Sequence, residues 1–158
     1  MCYNKNVHKP FYLSGFLYHL RTQQVLLYQP NLNNNTPSIW TMPGGAGIGE
    51  EDPQKAFQRI IYQLLGLHLS EKCIYPVYDY FNDTLNTIRY VFYAKVKTMK
   101  NLSLPDNGTL SWFSFKQITK LPLSGQAKQD IIVSQRVIQA QARSDSGIVP
   151  ASRVIYKT

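Results

Sequence analysis

The chain has 158 residues, of which 44% are hydrophobic and 16% are charged. This length is typical of one domain with a substantial core, and the composition excludes wholesale disorder. Seventeen lysines and arginines against nine aspartates and glutamates give a net charge of +8, which favours polyanions such as nucleotides, nucleic acid or anionic membrane surfaces as partners.

Motifs for export, membrane insertion and covalent catalysis are missing. No uninterrupted apolar segment approaches the roughly 20 residues that a transmembrane helix needs, and the N-terminus lacks the pattern of a secretory signal. We therefore expect a cytoplasmic protein, although secretion by a signal-independent route would leave no such pattern. Cys2 and Cys73 are expected to be reduced thiols. His8, His19 and His68 are expected to be surface or loop residues rather than ligands.

The first half of the chain predicts two strands, a third short strand and a helix. Apolar runs separated by a polar turn indicate the first two strands, and a segment with three consecutive asparagines indicates a loop. In chain order, the predicted elements are strand 11–20, turn 21–23, strand 24–29, loop 30–37, strand 39–42, a glycine-rich loop and helix 53–65.

The second half predicts three further strands and a closing helix. In the second of these strands Ile88, Tyr90, Phe92, Ala94 and Val96 share one face, with Arg89, Lys95 and Lys97 on the other. The closing helix is expected to turn Ile131, Ile132, Val137 and Ile138 inward. In chain order, the predicted elements are strands 73–81 and 87–97, loop 101–108, strand 110–115, helix 126–143 and a polar tail, 144–158, with a short apolar segment at 154–156. We place the domain at residues 1–143.

The helix at 53–65 carries clear start and stop signals. Asp52 is suited to cap its N-terminus, and Pro53 fits the first turn, where its missing amide hydrogen costs nothing. Gly66 suits the left-handed position that ends the helix.

The segment around this helix resembles the Nudix box, G-x5-E-x7-R-E-U-x-E-E-x-G-U, in which U is apolar. Matching residues at the expected spacings are Gly45, Glu51, Arg59, Ile61, Gly66 and Leu67. The preceding residues 40–45 resemble the strand that leads into the box in that family. The resemblance covers roughly residues 10–143 and implies an α/β fold with a mixed sheet sandwiched between helices. It also implies an ion pair between Glu51 and Arg59.

Three glutamates of the box are absent, and their positions hold Ile60, Gln63 and Leu64. In the family these glutamates hold Mg²⁺ or Mn²⁺ against a diphosphate, and such hard cations require oxygen ligands. We therefore expect no cofactor and no catalytic residues. If the chain is active, Glu50, Glu51 and Asp106 are the candidates, with Mg²⁺ or Mn²⁺.

Ile60 and Leu64 share one stripe of the helix with Ala56, since the three are spaced by four residues. One interpretation is that Ile60 and Leu64 pack into the core. The other is that this face now meets an apolar ligand group, a second copy of the chain or a protein partner. The first is slightly favoured.

Three functional hypotheses follow. The leading one is a catalytically degenerate Nudix domain that binds a nucleotide-like or other phosphorylated ligand, or a protein partner, in a regulatory role, with Gly44, Gly45, Arg59 and Gln63 as ligand-binding residues. The alternative is a metal-dependent pyrophosphatase of nucleoside-diphosphate derivatives with a weakened or rerouted site. The third is a basic nucleic-acid-binding module. Its basic residues would be Arg89, Lys95, Lys97, Lys100, Lys116, Lys120 and Lys128.

Overall fold

The structure, a computed structural model, describes residues 10–30, 39–98 and 108–147, together with residues 102 and 104. Its strands are β1 (Phe11–His19), β2 (Gln24–Gln29), β3 (Gly44–Ala46), β4 (Ile74–Asn82), β5 (Thr87–Val96) and β6 (Thr109–Ser114). Its α-helices are α1 (Pro53–Leu65), α2 (Phe115–Ile118) and α3 (Gly125–Asp145), and a 3-10 turn spans Glu71–Cys73. Asp106, Lys100 and the segment 154–156 lie outside the described residues.

The strands form one mixed sheet in the order β4-β5-β1-β2-β6. β1 pairs with β5 in parallel along its whole length. Its C-terminal half pairs antiparallel with β2, and its N-terminal half pairs antiparallel with the short β3. The sheet therefore splits beside β1, with β3 on one side of the gap and the end of β2 on the other.

Two hydrophobic clusters pack the sheet between helices. The α1-side core joins Phe57, Ile61 and Leu65 to Leu13 and Phe92 of the sheet. On the opposite face, the α3-side core includes Phe16, Tyr93, Ile118, Ile131 and Ile138. This arrangement confirms the predicted α/β class, a mixed sheet between helices. Within the described ranges, no helix has the length and apolar character that a membrane crossing requires.

The strand predicted at 39–42 is wrong. Thr41 makes only an isolated bridge to Tyr28, and the Trp40 amide donates to the Pro122 carbonyl at 3.0 Å instead of to a strand. The strand lies at Gly44–Ala46, where glycine permits close pairing with β1. A Cβ atom on Gly44 would lie 2.7 Å from the Leu13 carbonyl oxygen.

Three other predictions also need correction. Ile132 is 47% exposed, because the buried positions of α3 include Ala127, Ile131, Ser134 and Ile138, a spacing that excludes residue 132. His19 is not a surface residue but is buried. Its ring contacts the backbone amide of Thr22 and the carbonyl of Lys97, and thereby fixes the turn after β1. Predicted helix 126–143 extends to Asp145, so the predicted tail begins within α3.

Candidate functional site

A surface cleft lies between α1 and β3, where the sheet splits. Its volume is roughly 270 Å³. Gly44, Gly45, Arg59 and Gln63, the predicted ligand-binding residues, all line it. The remaining lining residues are Tyr28, Ala46, Ile60 and Leu64. We refer to this site as the Arg59 cleft.

Local sequence signals position α1 beside β3. The Asp52 carboxylate accepts hydrogen bonds from the amides of Gln54 and Lys55, and Pro53 occupies the first turn. Gly66 ends the helix with φ of 69°, in the left-handed region where glycine is favoured. The predicted cap and stop are therefore both present, and they place Arg59 and Gln63 at the cleft.

Arg59 organises the cleft wall through four hydrogen bonds. Its Nε and Nη2 donate to the two carboxylate oxygens of Glu51 at 2.8 and 3.0 Å. Nη2 also donates to the Ala46 carbonyl at 3.0 Å, and Nη1 donates to the Gln63 side-chain oxygen at 3.1 Å. The predicted contact between Arg59 and Glu51 is thus present, and it ties α1 to both the loop and β3.

Both oxygens of the Glu51 carboxylate are engaged by these contacts and by the loop backbone. Oε2 accepts from Arg59, and Oε1 accepts from Arg59 and from the Ile48 amide at 3.0 Å. Hydrogen bonding from Arg59 holds the pKa of Glu51 below its usual value. The carboxylate is therefore ionised and paired, and its charge cancels that of Arg59 within the cleft.

The cleft floor belongs partly to the hydrophobic core. Ile60 is only 8% exposed and is a member of the α1-side core, whereas Leu64 is half-buried against it. A Cβ atom on Gly45 would lie 3.1 Å from Ile60 Cδ1, so the glycine lets β3 approach the helix. The two interpretations of this stripe are therefore compatible, because Ile60 packs inward and still lines the cleft.

The described residues do not fit a divalent metal at this site. No group of three or more His, Cys, Asp or Glu side chains within the described ranges is arranged to hold one. Glu51 has both oxygens engaged by Arg59 and is absent from the cleft lining, and the exposed Glu50 does not line it either. An octahedral Mg²⁺ ion needs oxygen donors, which Ile60 and Leu64 cannot supply.

The cleft does offer hydrogen-bond donors. Because the Gln63 side-chain oxygen accepts from Arg59, its amide nitrogen points away from the guanidinium. Pro43 and Gly47 form backbone hydrogen bonds with β1, so in the alternating ladder Gly45 also faces β1 and the intervening Gly44 and Ala46 direct their backbone groups to the other edge of β3. The arrangement can bind a hydrogen-bond acceptor through neutral donors and one shared guanidinium.

Tyr28 and Ala46 line the cleft but were not predicted from the sequence. Ala46 adjoins the glycines, so its position in the glycine-rich loop was the available signal. Tyr28 comes from β2, which reaches the cleft only because the sheet splits. No local pattern marks it.

Two of the proposed nucleic-acid-binding residues have structural contacts. The Arg89 guanidinium lies 4.6 Å from the centre of the Tyr12 ring, and Lys95 Nζ lies 4.5 Å from the centre of the Tyr75 ring. Lys95 Nζ is also 3.8 Å from an Asp145 carboxylate oxygen. Both cations therefore stabilise the packing of the sheet.

No protein-family model and no curated protein sequence matches the chain significantly. Solved structures do match. The NUDIX domain of Shewanella oneidensis NrtR complexed with ADP ribose matches with a TM-score of 0.64 at 17% identity, covering 86% of this chain and 94% of that one. A MutT structure from work on Aliivibrio salmonicida and Vibrio cholerae matches with a TM-score of 0.63 at 12% identity, covering 84% and 99%.

A Caenorhabditis elegans Ap4A hydrolase, in a binary complex, matches with a TM-score of 0.63 at 14% identity, covering 82% of this chain and 98% of that one. At these identities the similarity defines the fold and not the activity. The chain has the Nudix fold.

Proposed function

We propose that this chain is a Nudix-fold domain without hydrolase activity, which binds a nucleotide-like or other phosphorylated ligand in the Arg59 cleft in a regulatory role. The observation that carries the proposal is the pairing of both Glu51 oxygens with Arg59, in a cleft whose other lining side chains carry no carboxylate. Binding through donors is available there, whereas metal-assisted attack of water on a diphosphate lacks its ligands.

The donors suit a phosphate or a similar acceptor. Gln63 contributes a neutral amide, β3 contributes backbone groups, and Arg59 has one further N–H beyond its four contacts. The net charge of +8 raises the local concentration of anionic ligands. The NrtR domain was solved with ADP ribose, which makes this nucleotide a reasonable first probe. A protein partner or a second copy meeting Ile60 and Leu64 is the other form of the regulatory hypothesis.

Binding and turnover are tested separately. Calorimetric titration with ADP ribose, AMP, ADP and ATP is run in EDTA and in Mg²⁺, and phosphate release is measured over the same compounds. We expect metal-independent binding of at least one compound and no release above background. Gln63→Ala is expected to weaken binding, while Glu50→Gln, an exposed change outside the cleft, leaves it unaltered.

Two outcomes would reject the proposal. If no phosphorylated probe binds, the small-molecule role is rejected and the protein-partner form of the hypothesis remains. Size-exclusion chromatography of the chain alone then tests whether that partner is a second copy. Turnover that Mg²⁺ stimulates, and that Glu50→Gln or Asp106→Asn abolishes, establishes the pyrophosphatase alternative with a rerouted site.

A further inference from the structure

A second cavity lies on the opposite side of the sheet from α1. It has a volume of roughly 70 Å³ and lies between the N-terminal half of β1, β5 and the first turns of α3. Its polar lining includes the side chains of Ser14, Thr41, Arg89, Gln126 and Asp130. We refer to it as the Asp130 cavity.

Asp130 is completely buried and has an incomplete set of hydrogen bonds. Its Oδ1 accepts from the Tyr78 hydroxyl at 2.6 Å and from the Gln126 side-chain nitrogen at 2.9 Å. Its Oδ2 has no partner among the described residues. Burial raises the pKa of the Asp130 carboxyl, and the two hydrogen bonds, the charge of Arg89 and the nearby Tyr80 hydroxyl oppose that increase.

Other buried atoms around the cavity share this condition. Ser14 is 3% exposed, and its hydroxyl has no partner within the described ranges; the same is true of Arg89 Nε and the nearby Tyr80 hydroxyl. The guanidinium of Arg89 is held against Tyr12. The unsatisfied groups comprise one acceptor and three donors, contributed by α3 and three different positions of the sheet.

Direct contact does not satisfy these groups, because none of the four atoms has a hydrogen-bond partner among the described residues. A buried polar group without a partner is strongly destabilising, so native proteins fill such positions with ordered water. A water molecule occupies about 30 Å³ and needs two to four polar partners. The cavity therefore has the volume for ordered water, with several unsatisfied groups around it.

We propose that the Asp130 cavity is a hydration site, where ordered water connects Asp130 Oδ2 to the Ser14 hydroxyl and to Arg89 Nε. Water can donate to the carboxylate and accept from the two N–H and O–H donors, as these groups require. The site joins α3 to β1 and β5, where the apolar packing of the α3-side core is interrupted.

The hydration site also supports the wall of the Arg59 cleft. Ser14 is opposite Gly44 in the β1–β3 ladder, and Gly44 lines both the cavity and the cleft. The waters therefore lie directly behind the strand that carries the cleft glycines. This inference is independent of the function proposed for the cleft.

A high-resolution crystal structure of the full chain tests the proposal directly. We expect electron density for water within hydrogen-bonding distance of both Asp130 Oδ2 and Ser14 Oγ, and no xenon in the cavity after pressurisation, because xenon enters dry apolar cavities. Density without water, bound xenon, or a direct contact between Arg89 Nε and Asp130 Oδ2 would overturn it.

Ser14→Val supplies a second test, because a hydrated cavity and a dry cavity predict opposite changes in the midpoint of thermal unfolding. In a hydrated cavity the variant removes a water partner, so the midpoint of thermal unfolding falls. In a dry cavity the added methyl groups fill space, so the midpoint rises. Ser134→Ala is the matched control, since Ser134 is also buried but its hydroxyl already bonds the Asp130 carbonyl at 2.6 Å. A clearly smaller fall in the control is expected.

Discussion

The Arg59 cleft and the Asp130 cavity are both polar sites built beside β1, but they satisfy their charges in different ways. In the cleft, a carboxylate and a guanidinium separated by eight residues pair directly. In the cavity, a carboxylate, a guanidinium nitrogen and a hydroxyl from distant segments line a shared space, and each has an atom without a hydrogen-bond partner among the described residues. Direct pairing leaves the cleft with neutral donors for a ligand, whereas incomplete pairing leaves the cavity dependent on solvent.

The largest effect is expected at the cleft floor. Ile60→Glu places a charge where the side chain is 8% exposed and removes a member of the α1-side core. We expect a loss of about 4 kcal/mol in the free energy of unfolding, measured by urea denaturation. Gln63→Glu, one turn away and exposed, is the control and should change stability by less than about 0.5 kcal/mol. Equal effects would show that the floor is not core.

The next effect concerns the direct pair. Arg59→Ala leaves Glu51 without its guanidinium partner and removes the link to Ala46, and the side chains of Arg59 and Glu51 are only 24% and 19% exposed. We expect the free energy of unfolding to fall by about 2 to 3 kcal/mol. This is less than for a completely buried pair, because solvent still reaches both groups. Unchanged thermal unfolding would show that the pair is not structural. Lys55→Ala, which removes an exposed ion pair with Glu71, is the control and should have little effect.

A smaller effect is expected from the Asp130 cavity. Tyr78→Phe removes the hydroxyl that donates to Asp130 Oδ1 at 2.6 Å and leaves the buried carboxylate with fewer donors. We expect the free energy of unfolding to fall by about 1 to 2 kcal/mol, as measured by chemical denaturation. Tyr62→Phe is the control, because Tyr62 is 48% exposed. A loss as small as that of the control would mean that solvent in the cavity replaces the tyrosine.

The two carboxylates are expected to give opposite pH dependences. The pKa of Glu51 is lowered in the folded state, so its contribution is present above the usual glutamate pKa of 4.5 and is lost as the pH falls. The pKa of Asp130 is raised, so its contribution is present below the usual aspartate pKa of 3.8 and is lost as the pH rises through the folded value.

Unfolding curves measured from pH 3 to pH 7 separate these contributions. Glu51→Gln should reduce the loss of stability that occurs as the pH falls. Asp130→Asn should reduce the loss of stability that occurs as the pH rises. Identical pH profiles for the two variants would contradict the difference between the sites.

The sequence predicted the elements whose signals are local. Helix α1 is bounded by Asp52, Pro53 and Gly66, and each acts on the backbone within one turn, so both ends were identified correctly. The Glu51–Arg59 contact was implied by the resemblance to the Nudix box, and the structure contains it. The predicted strand at 39–42 was wrong because pairing depends on what lies opposite, and the segment that pairs with β1 is Gly44–Ala46.

What the sequence by itself determined was the α/β order, the helix beside the glycines and the uncharged side chains at Ile60, Gln63 and Leu64, because these depend on residues close together in the chain. The tertiary structure decided which side chains face each other across the sheet. It brought Tyr28 to the Arg59 cleft, it joined Ser14, Arg89 and Asp130 around one cavity, and it paired the Tyr78 hydroxyl with Asp130. Those contacts depend on strand register and on the packing of α3 against the sheet, which no local pattern specifies.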